Sequence, residues 1–318
     1  MKWNDVLIVA GVLAVAIPQA HAAKSFVTSH EESQTPDTHA PMDETVFRIP
    51  VEDGTPLEAT LLVPHGAKKP LPLAIVSGGA SGVSEDARGK RDRYDYLSGY
   101  FLARGYAVLR PMPRGFGGSG GHIITGGCDL ASVGWSDAQD IRTVIQTVLE
   151  QRSELDGTRI VTAGISFGGW VQMAFGTTPL PGMKAQLLFY PLMHESDCHD
   201  DGQSLVEGAR VFGERSELPT LWIQGENDSK APTDVWQAMF AAYHDGNDKA
   251  ELLDIKKFGN DSHAMLLDAH GLKPWQDKAD ALLARVGLPS QVVDPRYLPP
   301  GSTNPDKPKA ASAGKSTK

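Results

Sequence analysis

The chain has 318 residues, 41% of them hydrophobic and 22% charged, the proportions of a soluble globular protein with room for one sizeable core. Its formal net charge of −9 argues against nucleic acid as a partner, since such binders carry a basic patch or balance.

The elements are taken in chain order. Lys2 gives a positive start, Val6–Ile17 is an unbroken apolar run, and Ala20-His21-Ala22 is a small-x-small triplet. That layout is a secretory signal peptide over residues 1–22, cleaved after Ala22, which predicts export to a periplasmic or secreted location. The apolar run is too short to span a bilayer, and no later run is long enough, so no membrane span is expected after cleavage. Residues 23–45 are polar and predict a flexible lead-in. Residues 289–318 read as an extension, disordered from about 299.

Between them, over residues 46–288, strand and helix patterns alternate. Strands are predicted at Val46–Val51, Glu58–Val63, Leu73–Ser77, Ala107–Pro111, Arg159–Ile165, Ala185–Tyr190, Thr220–Gln224 and Leu252–Phe258. Helices are predicted at Tyr94–Arg104, Asp137–Arg152, Phe167–Gly176, Thr233–Tyr243 and Trp275–Val286, the second with a capping box of Ser136 and Gln139. The alternation predicts an α/β fold with a mostly parallel eight-stranded sheet covered by helices on both faces. Ligands of such a fold sit beyond the carboxyl ends of the strands.

Gly164-Ile-Ser166-Phe-Gly168 fits G-x-S-x-G between a strand and a helix, the setting of an exposed nucleophilic serine. Gly117-Gly-Ser119-Gly-Gly121 fits the same pattern, and Gly115–Gly120 fits G-x-G-x-x-G. No helix follows either, so that segment reads as a glycine-rich loop and Ser119 as structural. A serine needs a base, and in this arrangement the acid and then the histidine follow it in the chain. Asp228, in the loop after Thr220–Gln224, is preferred to Glu226. His263, in the loop after Leu252–Phe258, is preferred to His244 and His270. The oxyanion hole is expected from the backbone of Phe167 and of Gly79 and Ala80. Phe116, Trp135 and Trp170 are candidates for a substrate pocket, and Arg110 and Arg114 could hold a substrate carboxylate or pair with nearby acids.

Cys128 and Cys198 are the two cysteines, and export predicts a disulfide between them. The acid- and histidine-rich run His194–Asp201 matches no metal-ligand spacing and reads as a solvated loop. The chemistry calls for no metal or organic cofactor.

The segments Ala74-Ile-Val-Ser-Gly-Gly79, Gly105-Tyr-Ala-Val-Leu-Arg110, Arg114-Gly115 with Gly117-Gly-Ser-Gly120, Gly164-Ile-Ser-Phe-Gly-Gly169, Gly225-Glu-Asn-Asp228 and Ser262-His263 resemble, in that order, the dienelactone-hydrolase-like and prolyl-oligopeptidase-like branches of the α/β hydrolases. The resemblance implies hydrolysis of small or polymeric esters, or less often of peptides, through an acyl-enzyme. Dienelactone hydrolases proper use cysteine where this chain has Ser166, and prolyl oligopeptidases carry a propeller domain where only a short lead-in stands here. Both departures favour a carboxylesterase over a peptidase. An acyltransferase would use the same residues, and a catalytically dead binding protein is the reading from another class.

Overall fold

The computed structural model describes residues 26–79, 90–91 and 94–302. The predicted signal segment, Ala80 and the tail after residue 302 lie outside them. Nine strands form one sheet: β1 Phe26–Gln34, β2 Pro41–Pro50, β3 Pro56–Pro64, β4 Leu71–Ser77, β5 Ala107–Pro111, β6 Leu155–Ile165, β7 Met183–Phe189, β8 Thr220–Gln224 and β9 Ala250–Asp254. Their spatial order is β1-β2-β3-β5-β4-β6-β7-β8-β9. β1, β2, β3 and β5 pair antiparallel, and the run from β5 to β9 is parallel.

Among the described residues six α-helices accompany them: α1 Asp95–Leu102, α2 Leu130–Gln151, α3 Phe167–Gly176, α4 Asp201–Gly213, α5 Thr233–Gly246 and α6 Gln276–Arg285. The strands β4, β5 and β8 are buried through their length because both faces are covered. One face carries α2–α5, through residues such as Val144, Phe175, Phe212 and Trp236. The other carries α1 and α6, through Phe101, Tyr106, Trp275 and Leu283. The predicted α/β-hydrolase architecture is therefore the observed one, with nine strands in place of eight.

The additional strand is β1, which falls in the stretch expected to be a flexible lead-in. Its sequence, FVTSHEESQ, has little to bury, and it is held as an edge by its ladder to β2. α2 begins at Leu130, seven residues before the expected start. Asp129 caps it by accepting the Ser132 N–H at 3.1 Å, and Ser136 is mid-helix with its hydroxyl on the Ser132 carbonyl. α4 lies between the predicted strands Ala185–Tyr190 and Thr220–Gln224, where no helix was predicted. Leu205, Ala209 and Phe212 fall on its buried face, and Asp200 caps it. β9 ends at Asp254 rather than 258, where Asp254 accepts the Lys256 N–H and Lys256 turns to φ 65°.

Residues 289–302 are not loose. The Val293 and Asp294 N–H groups both donate to the Ala103 carbonyl, Tyr106 donates to the Pro289 carbonyl, and the Tyr297 hydroxyl reaches the Pro41 carbonyl. The Cys128–Cys198 disulfide is formed. It joins the start of α2 to the segment before α4 across a separation of 70 residues. Among the described residues no helix is long and apolar enough to cross a membrane.

Candidate active site

Ser166 sits between β6 and α3 with φ 53° and ψ −120°, a conformation that costs a non-glycine residue about 1–3 kcal/mol. Three backbone bonds hold it there. Its N–H donates to the Phe189 carbonyl at 3.0 Å, and its carbonyl accepts from Trp170 at 3.0 Å and Leu192 at 3.2 Å. The turn is tight enough that a Cβ on Gly168 would meet the Ser77 carbonyl, and one on Gly164 would meet the Gly168 carbonyl. Glycine at both places is a packing requirement.

Four neighbouring parallel strands deliver one residue each to the same edge of the sheet. Ser166 follows β6, Tyr190 follows β7, Asp228 lies in the loop after β8, and His263 lies in the loop after β9. His263 Nδ1 is 2.9 Å from Asp228 Oδ1 and 3.1 Å from Oδ2. Because an ionised carboxylate only accepts, Nδ1 carries the proton and Nε2 keeps its lone pair. Asp228 is buried and well supplied with donors: Gln224 Nε2 at 2.9 Å on Oδ2 and the Lys230 N–H at 2.8 Å on Oδ1. The Tyr190 ring lies 4.6 Å from the imidazole, centroid to centroid, and its own backbone is held at φ 37°. Burial pushes the Tyr190 hydroxyl well above its ordinary pKa, so it stays neutral.

The competing residues go elsewhere. Glu226 pairs with Lys256 at 3.0 Å. His244 stacks on Phe240 and meets the Ala250 carbonyl at 3.0 Å, and His270 is exposed beside Asp268. Ser119 is structural: it accepts the Glu58 N–H at 2.8 Å and donates to the Met112 carbonyl at 2.9 Å.

The Phe167 N–H opens α3, at the positive end of the helix. Gly79 has a partner that its sequence setting did not suggest. Its N–H donates to the Tyr94 hydroxyl at 3.1 Å, so it is already committed. A Cβ on Gly79 would lie 3.0 Å from Ser166 Cβ and 3.3 Å from the Tyr94 hydroxyl, so those two groups flank the same face of Gly79. Tyr94, at φ 38°, was not singled out by the sequence, because nothing in its local pattern links it to a glycine fifteen residues earlier.

The aromatic pocket candidates are mainly packing. Trp170 is fully buried, its indole N–H on the Leu130 carbonyl and its ring edge-on to Phe212. Phe116 is buried. Trp135 is partly exposed, donates to Thr177 Oγ1 and is covered on one side by Arg215. Arg114 grips both oxygens of Asp140, at 2.6 and 3.0 Å, and also reaches Asp53, so it serves as an internal brace. Arg110 stands 4.0 Å from Asp95. In the His194–Asp201 run, Cys198 is bonded to Cys128. Among the described residues no group of three or more His, Cys, Asp or Glu side chains is arranged to hold a metal ion.

Beneath the nucleophile turn is a cavity of about 10 Å³, walled by Ser77, Gly78, Met112, Phe167 and Val171 and by Asp137 of α2. Asp137 Oδ2 is buried without a hydrogen-bond partner. Burial, reinforced by the charge of Asp140 and opposed by Arg114, raises its carboxyl to about 7.

Residues 53–211 match the family model of the X-Pro dipeptidyl-peptidase (S15 family). No curated protein matches the sequence. Among solved structures, an esterase from Pyrococcus furiosus superposes with a TM-score of 0.55 at 16% identity, over 81% of this chain and 91% of its own. An acetyl xylan esterase from Paenibacillus sp. R4 gives a TM-score of 0.54 at 19% identity, over 75% and 84%. A puromycin-hydrolyzing peptidase from Mycobacterium tuberculosis gives 0.55 at 16%, over 80% of this chain and 41% of its own. At these identities the likeness is one of fold.

Proposed function

We propose that this chain, which belongs to the X-Pro dipeptidyl-peptidase (S15) family, is an exported serine hydrolase that cleaves carboxylic esters through an acyl-enzyme. The observation that carries the reading is the His263–Asp228 pair standing at the same sheet edge as a serine held at positive φ. Asp228 fixes the imidazole with Nε2 as the acceptor. His263 takes the Ser166 proton as the oxygen attacks the ester carbonyl, then returns it to the departing alcohol. The Phe167 N–H donates to the oxyanion. The second donor in this proposal is the Tyr94 hydroxyl, which flanks Gly79 on the same side as Ser166. Water, activated by the same histidine, then releases the acid.

The family match favours a second reading, cleavage after an X-Pro dipeptide. The ester reading is supported by the extent of the structural matches: 91% of the Pyrococcus esterase against 41% of the Mycobacterium peptidase. Export is supported by the disulfide. The test is a panel of nitrophenyl esters against X-Pro aminoacyl amides on the purified chain, with fluorophosphonate labelling before and after Ser166→Ala. Ester turnover with labelling lost in the variant is expected. Faster amide turnover selects the peptidase, and labelling that survives the variant overturns the choice of serine.

A further inference from the structure

The loop that carries the acid and the turn that carries the base are stitched together by two side chains beside the reacting pair. Asn227, next to Asp228, donates through Nδ2 to the Phe258 and Gly259 carbonyls at 3.2 Å each and accepts the Phe258 N–H at 3.0 Å. Asp261, two residues before His263, reaches back the other way. Its Oδ1 accepts the Ser229 N–H at 3.0 Å and the His263 N–H at 2.9 Å, and its Oδ2 accepts the Ser229 hydroxyl at 2.6 Å. An aspartate capping a short helical turn needs only the bond to its own turn. Here both oxygens are also engaged by Ser229, the neighbour of Asp228.

We infer that Asp261 is a positioning residue for the base: its carboxylate locks the His263 turn to the Asp228 loop and places a second negative charge beside the imidazole. Beside the imidazole stand Asp228 from the loop after β8 and the neutral Tyr190 ring from the end of β7, while Asp261 holds the backbone N–H of His263 from its own turn and acts on the ring through its charge. Burial of Asp261 works against its charge, but the hydroxyl and N–H of Ser229, the N–H of His263 and the nearby imidazole outweigh it. The carboxyl therefore stays below its ordinary pKa and ionised wherever the enzyme works. The charge stabilises the imidazolium that forms as the serine loses its proton. The lock holds Nδ1 over Asp228 with no rearrangement during turnover.

This rests on the assignment of His263 as base, so His263→Ala is measured alongside. Two substitutions separate charge from tether. Asp261→Asn keeps the shape and the Oδ1 acceptor for the Ser229 and His263 N–H groups, replaces the oxygen that meets the Ser229 hydroxyl by an amide NH2, and removes the charge. Asp261→Ala removes both. With one carboxylate gone, the imidazole loses its proton more readily. The acid limb of kcat/KM is therefore expected to move to lower pH in both variants. In Asp261→Ala, kcat should fall on the order of tenfold or more with KM little changed, as a misplaced base predicts. Asp261→Asn should keep most of kcat. Ser229→Ala, which loosens the tether but leaves the charge, should lower kcat without moving the limb. It also serves if the Asp261 variants fail to fold. An Asp261→Asn profile that overlays the parent, or a Ser229→Ala kcat equal to the parent's, overturns the inference. Activity retained in His263→Ala overturns the base assignment instead.

Discussion

Gly79 donates its backbone N–H to the hydroxyl of Tyr94 at 3.1 Å, beside Ser166 Cβ. As the proposed second oxyanion donor, that phenol is open to direct test. Tyr94→Phe should lower kcat by about 10²–10³, the usual effect of losing one oxyanion donor, and leave KM close to the parent value. Steady-state kinetics on a nitrophenyl ester would measure it. An unchanged kcat would return the second donor to the backbone.

Asp228 holds the proton of His263 on Nδ1 and is itself held by Gln224 and Lys230. Asp228→Asn keeps the shape but presents an amide that can stabilise the wrong tautomer. A fall in kcat of about 10⁴ is expected, with melting temperature little changed. Glu226→Gln, by contrast, breaks an exposed pair with Lys256 and should leave kcat within twofold of the parent (on the order of a surface ion pair's effect).

The buried acid Asp137 makes stability depend on pH in an unusual direction. The folded chain keeps this proton up to about pH 7, whereas the unfolded chain releases it near the ordinary value of 3.8. The stabilising contribution is therefore complete below pH 4, declines as pH rises towards 7, and is flat above. The total is on the order of 4 kcal/mol. Urea unfolding at pH 5 and pH 8 should show a loss in the parent that exceeds the loss in Asp137→Asn by about 3 kcal/mol. Parallel pH dependence in the two proteins would exclude Asp137 as the source.

The Cys128–Cys198 bridge closes a loop of 70 residues that includes the nucleophile turn. Cys128→Ser, or reduction, should lower unfolding stability by about 4 kcal/mol in the chain-entropy account. Thermal melts with and without reductant would test this, and the Ser variant should no longer respond to reductant.

Much of this architecture could be read from residue order. Ala107–Pro111, Thr220–Gln224 and Phe167–Gly176 have the same limits in sequence and structure, because each is a mainly apolar run between sharp turn signals. The Asp228 and His263 loops were legible because each follows such a strand. β1 was not: its Ser, Glu and His residues give no apolar alternation, and its place comes from a ladder to Pro41–Pro50 that local pattern cannot reveal. α4 had a usable signal in Leu205, Ala209 and Phe212, obscured by the acidic run before it. Tyr94, Asp137 and Asp261 gain their importance from neighbours fifteen to thirty-two positions away or from the dielectric around them. Those depend on packing, which spacing along the chain does not encode.

Residues 289–302 connect parts of the molecule far apart along the chain: Pro41 at the start of β2, Ala103 at the close of α1, and Gln276 at the start of α6. Tyr297 reaches the Pro41 carbonyl and Ser302 receives the Gln276 amide, so these contacts cannot form until residues 297 and 302 have been made. The nascent chain must leave the ribosome with its first strands still lacking their final clasp. A stop codon introduced before residue 289 would yield a species that never acquires it.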